Sequence, residues 1–229
     1  MIGLRRNRPL ALAAAFILFA GNLFAADIES TVDEIAAKFV GSLTPGLSIA
    51  IAQSDEVLLQ KGYGLAHVEK QIPVEADTVF RTGSVTKQFT GVAIVQLSLA
   101  GKFGLDDEFT TVLKDYPATP KPITIRHLLH HTSGIPSFTG LPSYMPNMPS
   151  DVTHAELVAR FSSLPLDFDP GTDWRYNNSG YYLLGMIVEA ASGDRYADYL
   201  EAHLFGPAGM NHSDDETSAT RLASPGRSA

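Results

Sequence analysis

A serine and a lysine stand three residues apart at the point where an apolar segment begins. They are Ser84 and Lys87, within the stretch TGSVTK at residues 82–87. Residues three apart share one face of a helix, so this spacing sets the amine beside the hydroxyl. A serine in the first helical turn also faces the positive end of the helix dipole, and a neighbouring base makes its oxygen nucleophilic. The pair predicts acyl transfer at Ser84, with Lys87 as a candidate base.

The same two residues also fit a purely structural role, with Ser84 as a helix N-cap. Composition alone places about one Ser-x-x-Lys in a chain of this length. The surrounding residues favour a more specific arrangement, because 79–81 predict an extended approach, Gly83 permits a tight turn and 89–99 continue an apolar helical pattern. The segment therefore predicts a turn followed by a helix that carries Ser84 at its start.

A second polar group, at residues 176–178, lies between a turn-rich segment, 170–175, and an apolar segment, 179–189, that predicts a buried helix. Tyr176 supplies a phenol, and a phenol near a lysine ammonium loses its proton more readily. Asn178 supplies an amide, which can both donate to and accept from a substrate amide. A tyrosine packed at a helix entrance is the structural alternative.

Together the two motifs resemble those of the serine β-lactamase and penicillin-binding-protein superfamily. That superfamily is marked by Ser-x-x-Lys, then Tyr-x-Asn, then a Lys/His-x-Gly strand. The spacing of the two motifs looks like that of class C β-lactamases, DD-peptidases and family VIII esterases. Further similarity lies in the segments FRTGS at 80–84, HLLHHTSGIP at 127–136 and LFGPAGM at 204–210, and the resemblance covers about residues 30–213.

The resemblance implies an α+β fold of the β-lactamase/transpeptidase-like kind, in which an antiparallel sheet with flanking helices carries an inserted all-α domain. It implies a serine hydrolase that forms an acyl-enzyme at Ser84, without metal or cofactor. Either Lys87 or Tyr176 would be the base, Tyr176 would protonate the leaving group, and Asn178 would orient the substrate. The Ser84 N–H would be one oxyanion donor. A β-lactam, a D-alanyl peptide and a small ester all remain open as substrates.

The third motif of the family does not occur here, since nothing after Asn178 reads Lys-Thr-Gly or His-x-Gly. In the family it lies more than a hundred residues beyond Tyr-x-Asn, whereas this sequence stops at Ala229. We therefore expect the C-terminal strands of the sheet to be missing from this chain. A non-catalytic penicillin-binding or sensor-like protein, or an inactive fragment of the enzyme, is the alternative function.

The N-terminus has the pattern of a secretory signal peptide, predicted for residues 1–26, with three arginines before the apolar run 10–20. Residues 27–83 are predicted to form a helix at 28–40 and two strands at 47–52 and 57–63. A mostly helical domain at 84–212 would carry both motifs, and 213–229 would be an irregular tail. The leader predicts a periplasmic or secreted location.

Composition and charge limit the partners of the chain. The formal charge of −8 becomes −11 when the three leader arginines are removed, which argues against nucleic acid. The sequence has no cysteine, which excludes disulfides, a thiol nucleophile and a lipid-modified cysteine. We expect a small-molecule or peptidoglycan-peptide substrate and no stable membrane anchor after leader removal; the oligomeric state is open.

Three histidines, His127, His130 and His131, fall within five residues. His127 and His131 are four apart, which would place them on one face of a predicted helix and permit zinc binding. However, no glutamate follows His127 and no nearby acid completes a ligand set. The segment therefore predicts a structural role and no metal site.

Overall fold

The computed structural model describes residues 27–144 and 152–215, which divide into two compact units, 27–80 and Arg81–Asp215. The predicted signal peptide, 1–26, lies outside the described residues, as do 145–151 and most of the predicted tail, 216–229. Within the described ranges, every helix is too short or too polar to cross a membrane.

The first unit contains a helix, α1, at residues 27–36 and two antiparallel strand pairs. Strand β1 (Leu47–Gln53) pairs with β2 (Glu56–Tyr63), so the two predicted strands are present and form an antiparallel hairpin. The chain reverses through Ser54, whose φ of 54° lies in the left-handed region used by tight turns. Strands β3 (Leu65–His67) and β4 (Ile72–Pro73) form the second pair.

Helix α1 packs on this unit through a polar and an apolar contact. Lys61 of β2 lies 2.8 Å from both Glu29 and Asp33, and Val32 is buried. The prediction that the helix continues to residue 40 is wrong, because the chain turns out of the helix after residue 36: the N–H groups of Lys38 and Phe39 bond three residues back, whereas that of Val40 still bonds four back. Phe39, which lies beyond the end of the helix, is 76% exposed.

The second unit consists of helices and short turns around one apolar core. Its helices are α2 (Thr86–Leu99), α3 (Ile125–Leu129), α4 (His154–Ala159), α5 (Asn178–Ser192) and α6 (Tyr196–Leu200). Three-residue 3-10 turns lie at Gly83–Val85, Phe109–Thr111 and Phe138–Gly140, and a π-helical turn, Glu201–Phe205, follows α6.

Helices α2 and α5 bring the two sequence motifs together, because their apolar faces belong to the same core. The buried side chains include Ala93, Ile94 and Leu97 of α2 and Leu183, Leu184, Ile187 and Val188 of α5. The helix predicted for residues 179–189 is therefore confirmed as a buried helix. Its start is fixed by Asn177, whose Oδ1 accepts a hydrogen bond from the Gly180 N–H at 2.7 Å. Its end is at Gly193, with a φ of 86°.

The histidine segment does not form the helix face that its spacing predicted. Helix α3 ends at Leu129, and His131 has a φ of 61°, so His127 and His131 do not share a helical face. His127 instead completes a capping box with Thr124 at the start of α3. The described residues contain no group of three or more His, Cys, Asp or Glu side chains placed to hold a metal ion.

Candidate active site

Ser84 lies in the 3-10 turn Gly83–Val85, which runs directly into α2. Gly83 has a φ of 53°, a conformation that glycine adopts without steric cost. The N-cap position of α2 is Val85, and no side chain caps the helix there. The alternative of Ser84 as a helix N-cap is therefore wrong, and its hydroxyl faces a cleft at the positive end of a fourteen-residue helix.

Two polar side chains contact the Ser84 oxygen. The Tyr176 hydroxyl donates a hydrogen bond to Ser84 Oγ at 2.5 Å, and Lys87 Nζ lies 3.5 Å from the same oxygen. Lys87 follows Ser84 by one turn, whereas Tyr176 reaches it from the loop that precedes α5. The structure thus brings the three predicted catalytic residues into one cluster.

Asn178, the first residue of α5, holds Lys87 from the other side. Its Oδ1 accepts a hydrogen bond from Lys87 Nζ at 2.7 Å, and its Nδ2 donates to Thr139 Oγ1 at 2.9 Å. The Ser137 hydroxyl accepts from the Asn178 backbone N–H at 3.1 Å and lies 3.0 Å from Thr139 Oγ1. Because both ends of the amide have partners, its oxygen is held toward the ammonium.

The charge of Lys87 changes the acidity of Tyr176. Burial by itself raises the pKa of the phenol, but the Lys87 ammonium and the Ser84 hydroxyl outweigh it, so the Tyr176 pKa lies below its ordinary value of 10.0. Lys87 Nζ also lies 4.7 Å from the centre of the Tyr176 ring and 5.3 Å from that of Tyr181. Both effects favour a proton leaving the phenol within this cluster.

His131 supports the tyrosine, a role that sequence reasoning missed. Its ring centre lies 4.8 Å from that of Tyr176 and 5.0 Å from that of Tyr181, and its Nδ1 accepts a hydrogen bond from the Asn177 N–H at 3.1 Å. An accepting Nδ1 carries no proton. Burial, followed by the nearby Lys87 charge, lowers the pKa of His131, which favours this neutral form. No local sequence pattern indicates this contact, because His131 and Tyr176 lie far apart in the chain.

The loop after His131 anchors the start of α5. The buried Ser179 hydroxyl donates to the Pro136 carbonyl at 2.8 Å and accepts from the Phe138 N–H at 2.9 Å. Asn177 donates to the Ile135 carbonyl through its side-chain amide. These bonds tie residues 135–138 to the first turn of α5, which fixes Asn178 and its neighbours relative to Lys87.

Ser84, Lys87 and Asn178 line one end of a cleft with a volume of about 550 Å³. Aromatic and apolar side chains form much of the remaining wall: Phe138, Tyr144, Tyr181, Tyr182, Met186 and Tyr196. Trp174 is not part of this wall: it is 61% exposed, and its ring contacts His131 edge-on. A nucleophile in an aromatic cleft of this size suits a small organic substrate.

A family model described as Beta-lactamase matches residues 32–216 of the chain. The chain belongs to the beta-lactamase family. Among curated relatives, penicillin-binding protein 4* of Bacillus subtilis (strain 168) is 33% identical over 170 residues, which are 72% of this chain and 37% of that relative. The chain therefore spans little more than a third of the length of this relative.

Solved structures of the family share the fold. D-amino acid amidase from Ochrobactrum anthropi SV3 is 32% identical with a TM-score of 0.63, covering 73% of this chain and 46% of that one. EstCE1, described as a hydrolase with promiscuous acyltransferase activity, is 25% identical with a TM-score of 0.70, covering 83% and 53%. The predicted membership of the beta-lactamase and penicillin-binding-protein superfamily, and the α+β fold, are confirmed.

Proposed function

We propose that this chain carries the acylation centre of a serine hydrolase of the beta-lactamase family. The observation that carries the proposal is the 2.5 Å contact between the Tyr176 hydroxyl and Ser84 Oγ, with Lys87 Nζ at 3.5 Å from the same oxygen. A serine needs a neighbouring acceptor for its proton before it can attack a carbonyl. Here a phenol with a lowered pKa and an amine both lie within reach.

In the first step, Ser84 Oγ attacks the substrate carbonyl, and the Oγ–carbon bond forms while the serine proton moves to Tyr176 or Lys87. Deprotonated Tyr176 is stabilised by the Lys87 ammonium, so the phenolate oxygen can take that proton. The negative charge that develops on the carbonyl oxygen is favoured by the N-terminus of α2, with the Ser84 N–H as one donor.

In the second step, the carbon–leaving-group bond breaks, and the proton held by Tyr176 passes to the departing atom. Asn178 orients the substrate amide and keeps Lys87 in place, which its 2.7 Å contact with Nζ supports. Water then attacks the Ser84 ester, the ester bond breaks, and the proton released by water returns to Ser84 Oγ. No metal or cofactor is required by these steps.

The substrate is an acyl compound small enough to enter the cleft: a β-lactam, a D-alanyl peptide or a small ester. The similar proteins described as a penicillin-binding protein and as a hydrolase with acyltransferase activity support this range. The D-amino acid amidase extends it to amides of single D-amino acids. All of these present an acyl carbon to the same nucleophile.

One experiment separates turnover from simple acylation. The protein is incubated with a fluorescent penicillin and, in parallel, with nitrocefin, p-nitrophenyl butyrate, a D-alanyl-D-alanine peptide and D-phenylalanine amide; Ser84→Ala is the control. Turnover that Ser84→Ala abolishes supports the hydrolase. Stable labelling without turnover supports a penicillin-binding or sensor-like protein instead. Turnover that Ser84→Ala retains would overturn both.

We also propose that the chain is exported, with residues 1–26 as the leader. Support comes from Arg5, Arg6 and Arg8 before the apolar run 10–20. Expression of the full sequence in a Gram-negative host, followed by fractionation and N-terminal sequencing, tests the proposal. Periplasmic protein that begins near residue 27 supports it, and cytoplasmic protein that begins at Met1 contradicts it.

A further inference from the structure

The cleft extends along α5 well beyond the nucleophile. Asn178 and Glu189 both line it, eleven residues apart on the same helix. Eleven residues make three helical turns plus about 20°, so the two side chains lie on the same face of the helix. They are separated by about 16 Å along its axis. Gly185 lies between them on this face and also lines the cleft, where the Tyr196 ring packs against it, 3.7 Å from the position that a Cβ atom would take. The cleft therefore continues from the Ser84 end to the Glu189 end.

Glu189 is a carboxylate with capacity to bind a further donor. Its Oε1 accepts the Tyr196 N–H at 2.9 Å, and its Oε2 lies 3.1 Å from His154 Nε2. An ionised carboxylate has about four acceptor positions, so these two contacts leave others open. The side chain is 29% exposed, which permits contact with a molecule in the cleft.

Tyr182 orients the imidazole of His154, which contacts Glu189. His154 Nδ1 lies 2.6 Å from the Tyr182 hydroxyl, which orients the ring so that Nε2 faces the carboxylate. Among the described residues that line the cleft, Lys87 is the one lysine or arginine, and it stands at the Ser84 end. The far end thus combines a carboxylate with aromatic rings, and both favour a cation.

We propose that Glu189 is a specificity-determining residue that binds an ammonium group at the end of the substrate remote from the bond that is cleaved. The inference rests on the proposed function, because it places the reacting carbonyl at Ser84. An elongated substrate would lay its apolar middle against Tyr181, Tyr182 and Met186, and its cationic end would meet Glu189.

The role of Glu189 can be tested with probes of different lengths, because the cleft separates Glu189 from Ser84. The probes are p-nitrophenyl esters of aminobutyric, aminooctanoic and aminododecanoic acid, each with its amine on the terminal carbon, and matched esters with a methyl group in place of the ammonium. Because about 16 Å of helix separates the two ends, the aminobutyric ester should show no preference. The longest amine should be preferred over its neutral match by about tenfold in kcat/KM, a typical effect for one charge-assisted hydrogen bond.

Two variants assign the preference to one residue. Glu189→Gln retains an oxygen for the Tyr196 N–H but loses the charge, so it should abolish the preference while hydrolysis of the neutral esters continues. Glu201→Gln removes an exposed carboxylate outside the cleft lining and should retain the preference. High salt should weaken the preference in the unmutated protein.

Failure of this inference differs from failure of the proposed function. Hydrolysis without a preference for the amines, or a preference that survives Glu189→Gln, overturns the role of Glu189 and leaves the hydrolase intact. If no ester is hydrolysed, binding of aminododecanamide and tridecanamide to Ser84→Ala decides the inference by NMR titration, and the proposed function is decided separately by the labelling and turnover experiment. Tighter binding of the amine that Glu189→Gln removes supports the inference, and equal binding overturns it.

Discussion

The Tyr176 hydroxyl donates a hydrogen bond to Ser84 Oγ across 2.5 Å, although the two residues are 92 positions apart. Lys87 completes the cluster through its 3.5 Å approach to the same oxygen and its 4.7 Å distance from the Tyr176 ring centre. The contact places a phenol oxygen where the proton of an attacking serine has to go. Because each of the three residues makes a different contact in this cluster, mutation of each one tests its role separately.

We expect Tyr176→Phe to slow acylation of Ser84 by at least about a hundredfold, the lower range for loss of a general acid–base group. The ring remains, so its contact with His131 is kept and the free energy of unfolding should change by less than about 0.5 kcal/mol. Labelling rates with a fluorophosphonate and urea unfolding measure the two quantities. Labelling at an unchanged rate would exclude Tyr176 from proton transfer.

Thr139 is expected to act as a positioning residue, because its hydroxyl accepts a hydrogen bond from the Asn178 amide at 2.9 Å. Thr139→Val leaves that amide free to turn its nitrogen toward Lys87, and we expect kcat/KM to fall about tenfold. Thr139→Ser restores the hydroxyl and should restore most of the activity. Thr119→Val, which removes an exposed hydroxyl bonded to the Lys121 carbonyl, is the matched control. A similar loss in Thr119→Val, or no rescue by serine, would contradict the positioning role.

Local sequence patterns predicted the elements that carry the site. The apolar period of residues 179–189 predicted α5, and Gly83 before Ser84 predicted the turn into α2. The strands predicted at residues 47–52 and 57–63 are the two strands of the hairpin β1–β2. These features are encoded within a few residues of one another, so the sequence alone specifies them.

The contacts that join distant segments could not be predicted in the same way. The place of His131 beneath Tyr176 depends on its left-handed backbone and on the packing of a loop against α5. The spacing of His127 and His131 instead suggested one helix face, because nothing local indicates that α3 stops at Leu129. From the sequence alone, Glu189 is an ordinary charged residue near the end of a buried helix. Its contact with His154 forms only in the folded chain, so it could not be predicted.

His131 is expected to make the stability of the protein depend on pH. Burial lowers its pKa in the folded chain below the ordinary value of 6.5, so the unfolded chain binds the proton more tightly. The stability is therefore fully present above about pH 6.5 and falls as the pH drops below it. His131→Asn keeps an acceptor for the Asn177 N–H and tolerates the left-handed φ of 61°, but it does not titrate.

Urea unfolding at pH 8 and pH 5 measures the difference. The drop in the free energy of unfolding should be smaller in His131→Asn than in the unmutated protein. Part of the drop should remain, because burial also lowers the pKa of His127. An identical drop in both proteins would contradict the conclusion that His131 is uncharged in the folded protein.

Gly134 is expected to be intolerant of any side chain. Its φ is 74°, and a Cβ atom there would stand 2.0 Å from the Phe168 carbonyl oxygen. Gly134→Ala should lower the free energy of unfolding by about 2 kcal/mol or more. Gly140→Ala, where a Cβ meets nothing within 4 Å, should be nearly neutral. Urea unfolding of the two variants compares them directly, and equal stability would show that the loop after Ser133 can shift.

The central claim is that Ser84 is the nucleophile, and intact-mass spectrometry after incubation with a fluorophosphonate tests it most directly. The account predicts one adduct per chain, mapped by peptide digestion to Ser84, absent in Ser84→Ala and formed at least about a hundredfold more slowly in Lys87→Ala. An adduct on another serine, or an undiminished adduct in Ser84→Ala, would contradict it.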